Sequence, residues 1–360
     1  MPASLKTKMK SSNNSNALFA GLAGLAVGSV MTAAILRTYS ISSSNTFKKK
    51  EKSKHDDDLY NVRSAEGVEQ RELPIEIREE QLSRNTLYFG EEGMNRLKGA
   101  HVIVVGLGGV GSHTAHMLAR AGVGYLRLID FDQVTVSSLN RHACATLKDV
   151  GLPKVVALER FLKQICPDSN FLQVDARVQM YTGDASKDGP LLEGKDWDFV
   201  VDAIDDVPTK ARLLAHCAKQ KIRVISCMGA GGKSDITRLH ISNLKSASRD
   251  PLASKLRQTI RRLLPKNCKE LSCLEDVDQL ATLYSSEKTV MKLAEMTPEQ
   301  KEQGIHNFGA VDNMRIRVMP VLGTMPAVMG QSLAAYVLCE LANKPFNVSI
   351  RQQQQQQQIL

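Results

Sequence analysis

Several residue types in this sequence sit at spacings that suit work on a phosphorylated ligand. Gly106-x-Gly108-Gly109-x-Gly111 follows directly on the apolar run HVIVVG (101–106). Glycines permit a tight turn and close backbone approach, and the unpaired N–H groups opening the next helix attract an anion. Asp130 lies about twenty residues past the glycines, where a doubly wound fold reads ribose hydroxyls, and Asp132 stands beside it. Then come the pair Asn140-Arg141, Lys154 in GLPK (151–154), and Asp205 in DAIDD (202–206). The glycine pattern alone serves NAD, FAD and ATP enzymes. A nicotinamide cofactor needs no cation at a departing diphosphate, whereas a nucleoside triphosphate does, so the set Arg141, Lys154 and Asp205 favours ATP. Each residue also has a plain structural role open to it. Arg141 could be a surface arginine, Lys154 a helix-start lysine, Asp205 a helix cap before Pro208, and Asp130 with Asp132 the close of a strand. Their joint spacing carries the functional reading.

Positioning them requires a strand, a glycine turn and a helix, and the pattern supplies these. HVIVVG is a β-branched strand, Leu118 and Ala119 continue a helical periodicity, and YLRLID (125–130) and WDFVVDAIDD (197–206) read as further strands ending near Asp130 and Asp205. The expected architecture is α/β, a Rossmann-like doubly wound mixed sheet, with the ligand-facing residues at the strand ends. A length of 360 residues suits one main domain with insertions. The formal charge of +9 suggests a nucleic-acid partner, but nine basic residues against the single acid Glu51 fall within residues 1–54. The remainder is close to neutral, so the global charge says nothing about the catalytic domain's partners. Seven cysteines stand singly with no pair at two-residue spacing, which excludes a zinc knuckle, makes no disulfide framework, and fits a reducing compartment.

Residues 17–36 (ALFAGLAGLAVGSVMTAAIL) are free of charge and, at about twenty residues, long enough as a helix to cross a bilayer. This is read as one transmembrane anchor; a secretory signal remains the other reading, against which the cysteine usage argues. Basic residues are denser after the segment than before it, which places the following domain on the cytosolic side. The moderate hydrophobicity and flanking lysines point to the mitochondrial outer membrane. Gly24 and Gly28 could let two such helices approach closely, or merely lower hydrophobicity. The expected layout is a basic segment 1–16, an anchor 17–36, a linker 37–79, a catalytic domain 80–345 with a basic insertion 249–290, and a glutamine-rich tail 346–360.

GLGGVGS (106–112), LIDFDQVTVSSLNRH (128–142), GLPK and DAIDD together resemble the adenylating superfamily of ThiF, MoeB and the ubiquitin-activating enzymes. That resemblance implies ATP and magnesium, with Gly109 touching the phosphates, Asp130 binding ribose, Arg141 and Lys154 holding the phosphate chain, and Asp205 holding the metal. GAGGK (229–233), DITRLHISN (235–243) and SRDPLASKLRQTIRRL (248–263) narrow it to the tRNA threonylcarbamoyladenosine dehydratases, which the chain resembles over about 260 residues, from about Leu82 to Leu341. The membrane-anchored fungal branch is most similar, judged by the anchor and by VDQLATLYSSEK (277–288). The implied activity is cyclisation of the threonylcarbamoyl group in tRNA, and relatives of this kind are homodimers.

From Pro251 a helix would gather Leu252, Leu256, Ile260, Leu263 and Leu264 on one stripe. Lys255, Arg257, Arg261 and Arg262 lie off it, so the helix is expected to offer tRNA phosphates a cationic face; the plainer reading is a solvated charged face. Met314–Pro320 reads as a half-buried strand, and an apolar helix from Met325 as core or a homodimer face. The alternative within the superfamily is an activator of a sulfur-carrier or ubiquitin-like protein. Sulfur-carrier members normally carry two CxxC pairs for zinc, which this sequence lacks, and ubiquitin-type activators need a nucleophilic cysteine, for which only Cys268 and Cys273 lie in the right region. An NAD-dependent oxidoreductase is the competing class.

Overall fold

The computed structural model describes residues 74–184, 188, 191–247, 250–263, 277, 279–288 and 319–344. Residues 17–36, Cys268, Cys273, Leu264, the strand expected through Arg317 and the glutamine tail lie outside them. No helix among the described residues is long and apolar enough to cross a membrane.

A first helix, α1 (Ile75–Gly99), opens the described chain and starts inside the stretch read as linker. It is followed by β1 (His101–Val105), α2 (Gly109–Arg120), β2 (Tyr125–Ile129), α3 (Lys154–Ile165), β3 (Gln173–Arg177) and β4 (Phe199–Asp202). Then come α4 (Val207–Gln220), β5 (Val224–Cys227), β6 (Leu239–Asn243), α5 (Pro251–Leu263), β7 (Ala281–Ser285) and α6 (Thr324–Leu341). Among the described residues these seven strands form one sheet in the order β3-β2-β1-β4-β5-β7-β6. All neighbours are parallel except β6, which runs antiparallel to β7. This is the doubly wound mixed sheet expected.

Strands β1 and β4 are buried on both faces, so VIVV (102–105) and FVV (199–201) are continuous apolar runs. Alternate residues serve opposite layers. Val102 and Val104 of β1 join a core with Leu118 of α2, Leu158 of α3 and Met329 of α6, while Ile103 and Val105 join Leu214 of α4 and Ile260 of α5 on the other face. On α6 the apolar stripe Met325, Met329, Leu333, Val337 and Leu341 is buried in the first of these cores, so the helix is core. It crosses α2 at Gly330, whose carbonyl accepts from the Thr114 hydroxyl at 3.0 Å.

The chain departs from β1 toward β2 on one side and from β4 toward β5 on the other. The crevice between β1 and β4 is therefore the topological switch point, where open α/β sheets bind ligands beyond the carboxyl ends of their strands. Val105 pairs with Ile129 on one side and Asp202 on the other, which brings Gly106, Asp130 and Ala203 side by side at that edge.

Candidate active site

Gly106 turns the chain out of β1 at φ +87°, a region that disfavours any side chain, and a β-carbon there would stand 2.7 Å from the Ala203 carbonyl oxygen. A side chain at Gly111 would collide with the Gly106 carbonyl, so the first turn of α2 folds directly back over the loop. At Gly108 a side chain would meet nothing within 4 Å, leaving open space above the loop. Gly108 caps α2 with no side-chain hydrogen bond and no acid follows in the first turn, so the positive end of the helix is uncompensated.

The four sequence-predicted groups around this loop come together to different degrees. Asp130, just past β2, is 7% exposed. It accepts from the Leu107 amide at 2.6 Å and the Asp132 amide at 2.8 Å, tying the glycine loop to the β2 loop. Burial pushes its carboxyl above the ordinary range, opposed by the charge of Lys154. Lys154 is the first residue of α3, where its charge adds to the positive helix end instead of opposing the negative one, an unfavourable choice for helix stability but a sound one for holding an anion. Its ammonium is parked on Asp132 at 2.8 Å, the lysine side chain 13% and the aspartate 40% exposed.

The aliphatic stem of Arg141 lies over the glycine loop, its Cγ and Cδ 3.1 and 3.2 Å from where a Gly109 β-carbon would be, with Pro326 of α6 at 3.0 Å on the same spot. The guanidinium donates to the Ser137 carbonyl at 2.8 Å and to Asn140 Oδ1 at 3.0 Å. Asn140 in turn donates to the Val321 carbonyl at 3.3 Å, so the amide holds the arginine against the segment leading to α6. Burial pushes His142 down to about 4 and lowers His113 as well. Both are neutral near pH 7, leaving Arg141 and Lys154 as the local cations.

Asp205 is exposed in the loop between β4 and α4 and has no hydrogen-bond or ion-pair partner among the described residues. The helix cap is its neighbour Asp206, which accepts from the Thr209 amide at 2.9 Å. No group of three or more His, Cys, Asp or Glu side chains among the described residues could hold a metal alone. One open carboxylate beside a phosphate loop fits magnesium, which keeps water and phosphate oxygens as most of its ligands.

Sequence reasoning missed three features. The Ser112 hydroxyl donates to the Gly108 carbonyl at 2.7 Å and accepts from the Ala143 amide at 3.1 Å, joining glycine loop to arginine loop. Lys210 pairs with Asp202 at 2.6 Å with both side chains fully buried, and Lys233 pairs with Asp250 at 3.1 Å, also buried. A helical lysine facing inward has no signature of its own; only its phase relative to Leu213 and Leu214 hinted at burial.

On α5 the buried stripe is Ala253, Leu256 and Ile260, while Leu263, expected on it, is 46% exposed in the last turn, past the covered face. Lys255, Arg261 and Arg262 are exposed and Arg257 is half-buried, donating to the Lys245 carbonyl at 3.1 Å. Lys255, Arg261 and Arg262 thus face outward, and Arg257 flanks the buried stripe. Arg249 lies outside the described residues.

A glycine turn at the switch point of a doubly wound sheet, flanked by an arginine, a lysine and a carboxylate without a partner among the described residues, defines an α/β protein with a site suited to a phosphorylated ligand. The chain belongs to the ThiF family, whose model matches residues 82–358. It is 37% identical over 268 residues to tRNA threonylcarbamoyladenosine dehydratase 2 of Saccharomyces cerevisiae, covering 73% of this chain and 57% of the relative. To dehydratase 1 of the same yeast it is 34% identical, over 74% of this chain and 58% of that one. The chain thus spans somewhat over half the length of these curated relatives. The crystal structure of the Escherichia coli tRNA N6-threonylcarbamoyladenosine dehydratase in complex with ATP superposes with a TM-score of 0.59 at 27% identity, covering 74% of this chain and 95% of that one.

Proposed function

We propose that the chain is an ATP-dependent tRNA threonylcarbamoyladenosine dehydratase. It would adenylate the threonyl carboxylate of the modified adenosine and close it to the cyclic form. The observation that carries this reading is the placement of Arg141 over Gly109 and of Lys154 near Asp130, the carboxylate bonded to the glycine loop, in a chain similar over most of its described length to proteins of that name. Their ATP-bound structural relative supports the nucleotide.

In this mechanism the uncompensated start of α2 and the loop amides receive the phosphates, while Asp130 accepts from ribose hydroxyls with lone pairs its two amide donors leave free. A carboxylate is a poor electrophile because its carbon is shielded by delocalised charge. Its oxygen attacks the α-phosphorus of ATP, the bond to the β-phosphate oxygen breaks, and diphosphate departs. Arg141 and Lys154 neutralise the charge that builds on diphosphate, the kind of preorganised stabilisation that supplies a large share of catalysis. Magnesium, held by Asp205, would supply further positive charge there. The substrate's carbamoyl group then attacks the activated carbonyl, losing a proton, and AMP leaves with the former carboxylate oxygen. Nucleophile and electrophile share one molecule, so no enzyme thiolate is needed. Among the described residues, burial pushes the thiols of Cys144, Cys217 and Cys227 up to about 12 and that of Cys166 to about 11.

The tRNA would lie along Lys255, Arg257, Arg261 and Arg262, the enzyme would act as a homodimer, and residues 17–36 would anchor it in the mitochondrial outer membrane with the domain in the cytosol. Protease protection on isolated mitochondria tests that placement. For the activity, the purified protein is given ATP, magnesium and either modified tRNA or a carrier protein ending in Gly-Gly. Diphosphate release with the tRNA alone, and the cyclic nucleoside by mass spectrometry, is the expected result; release with the carrier protein alone would establish the sulfur-carrier alternative instead.

A further inference from the structure

Beneath the crevice lies a charged cluster that touches no solvent. Asp202 ends β4, Ser226 pairs with it in register on β5, and Lys210 reaches back from the first turns of α4; all three are 0% exposed. The Lys210 ammonium donates to Asp202 Oδ2 at 2.6 Å and to the Ser226 hydroxyl at 3.3 Å, and that hydroxyl donates to the same carboxylate oxygen at 2.7 Å. Taking two charges wholly out of water is costly, and apolar residues of similar volume often stabilise a core as well or better. Stability is therefore a weak account of this pair, and its connections suggest another.

Asp202 Oδ1 accepts from the Ile204 amide at 3.1 Å, turning the chain sharply as it leaves the strand. Between these residues the Ala203 amide donates to the Val105 carbonyl at 2.9 Å, and the Ala203 carbonyl closes against Gly106. At the far end of the same short loop Asp206 caps α4, and its carbonyl accepts from the Lys210 amide at 3.0 Å. Lys210 thus spans loop 203–206, fixing its departure through Asp202 and its arrival through the helix. Asp205, the exposed member, is carried between these two anchors.

We infer that Lys210 and Asp202 are positioning residues that set the course of loop 203–206 and so hold the Asp205 carboxylate where a nucleotide-bound divalent cation meets it. The inference rests on the reading of Asp205 as the metal-bearing residue. A pair that fixed only the fold would affect stability first; one that aims Asp205 affects the cation first.

The test uses the full chain and the triple variant Asp202→Leu/Lys210→Met/Ser226→Ala, which replaces the cluster with apolar groups and leaves no orphaned hydroxyl. Urea unfolding, ATP affinity in EDTA, Mn2+ affinity of the ATP-loaded protein by electron paramagnetic resonance, and kcat and KM for ATP in diphosphate release are measured together. Expected are near-native stability, ATP affinity in EDTA within about twofold, Mn2+ affinity about tenfold weaker, and kcat lowered about tenfold with KM little changed. A folded triple variant with native Mn2+ affinity and kcat overturns the inference. Should it fail to fold, Ser226→Ala alone decides: about threefold weaker Mn2+ binding supports the positioning role, and unchanged binding overturns it. Asp205→Asn is run in parallel. If it keeps native Mn2+ affinity, the reading of Asp205 falls; if it loses that affinity while the triple variant keeps it, only the positioning inference falls.

Discussion

Lys154 is the residue whose replacement speaks most directly to the site. Its ammonium rests 2.8 Å from Asp132, in a pair whose carboxylate is 40% exposed. Such a partly solvated pair is worth about 1 kcal/mol at most, so exchanging Asp132 for a phosphate costs no more than that. A unit charge about 4 Å from a phosphate oxygen, at an effective dielectric of about 20, gains about 4 kcal/mol. The difference, about 3 kcal/mol, predicts that Lys154→Met weakens ATP binding roughly a hundredfold. Asp132→Asn should act in the opposite sense, freeing the lysine and tightening ATP binding by up to about fivefold. Calorimetric titration of ATP into the two variants and the parent measures both. A Lys154→Met protein binding within threefold of the parent would refute the lysine's role. An Asp132→Asn protein that loses affinity as severely as Lys154→Met would show that Asp132 itself holds the nucleotide.

Gly108→Ala adds a methyl group into open space at a φ of −70°, so the melting temperature should hold while ATP affinity falls at least tenfold. Gly111→Ala drives a methyl group into the Gly106 carbonyl and should lower both, as thermal melts with and without ATP will reveal. Burial depresses His142 from 6.5 to about 4, so the unfolded chain takes up its proton first as pH falls. Its contribution to stability is complete above about pH 6.5 and is lost progressively down to about pH 4, amounting to about 3 kcal/mol. His142→Asn should flatten urea-unfolding stability across that window, and an unchanged slope would assign it to other groups. Replacing Arg257, Arg261 and Arg262 with glutamine should weaken tRNA binding and reduce its salt dependence by about two to three counterions, with ATP affinity unchanged. Filter binding at several salt concentrations checks this.

Strands β1, β2 and β4 were legible because their residues are buried on both faces. HVIVV and FVVD are apolar up to their ends and YLRLI is interrupted only by Arg127, and their order of appearance with glycine turns and helices implied a doubly wound sheet. Helix α5 was legible for the opposite reason, since only one of its faces is covered and the pattern shows it. The start of α1 was not, because Ile75 and Ile77, 64% and 48% exposed, stand among charged residues and resemble a linker. The choice of Asp206 over Asp205 as helix cap lies beyond pattern reading, because adjacent carboxylates satisfy the same cap signature and only backbone geometry separates them. Contacts such as Thr114 with Gly330 join residues more than two hundred positions apart and leave no local trace.

Three lysine–carboxylate pairs lie along the carboxyl edge of the sheet, and their burial sorts them by task. At Lys154 the side chain is 13% exposed and its partner 40%, at Lys233 the values are 6% and 3%, and at Lys210 both are zero. A cation that must accept a ligand has to surrender its resident partner cheaply, which requires that water stabilise the carboxylate left behind. Only Asp132 meets that condition. Breaking either buried pair would leave a charge stranded in low dielectric, a cost that ligand contacts could not offset, so those lysines are committed to structure and act on the site through what they hold in place. Lys210 holds the loop of Asp205. Lys233, following the glycines after β5, holds Asp250, which accepts from the Leu252 and Ala253 amides and so caps α5. The segment leaving β5 and the cationic helix are therefore fastened to each other through a buried ion pair. Lys233→Met should accordingly raise KM for tRNA severalfold while leaving KM for ATP unchanged, a split that steady-state kinetics with each substrate varied in turn will detect, and equal effects on both would mean that the pair serves the fold alone.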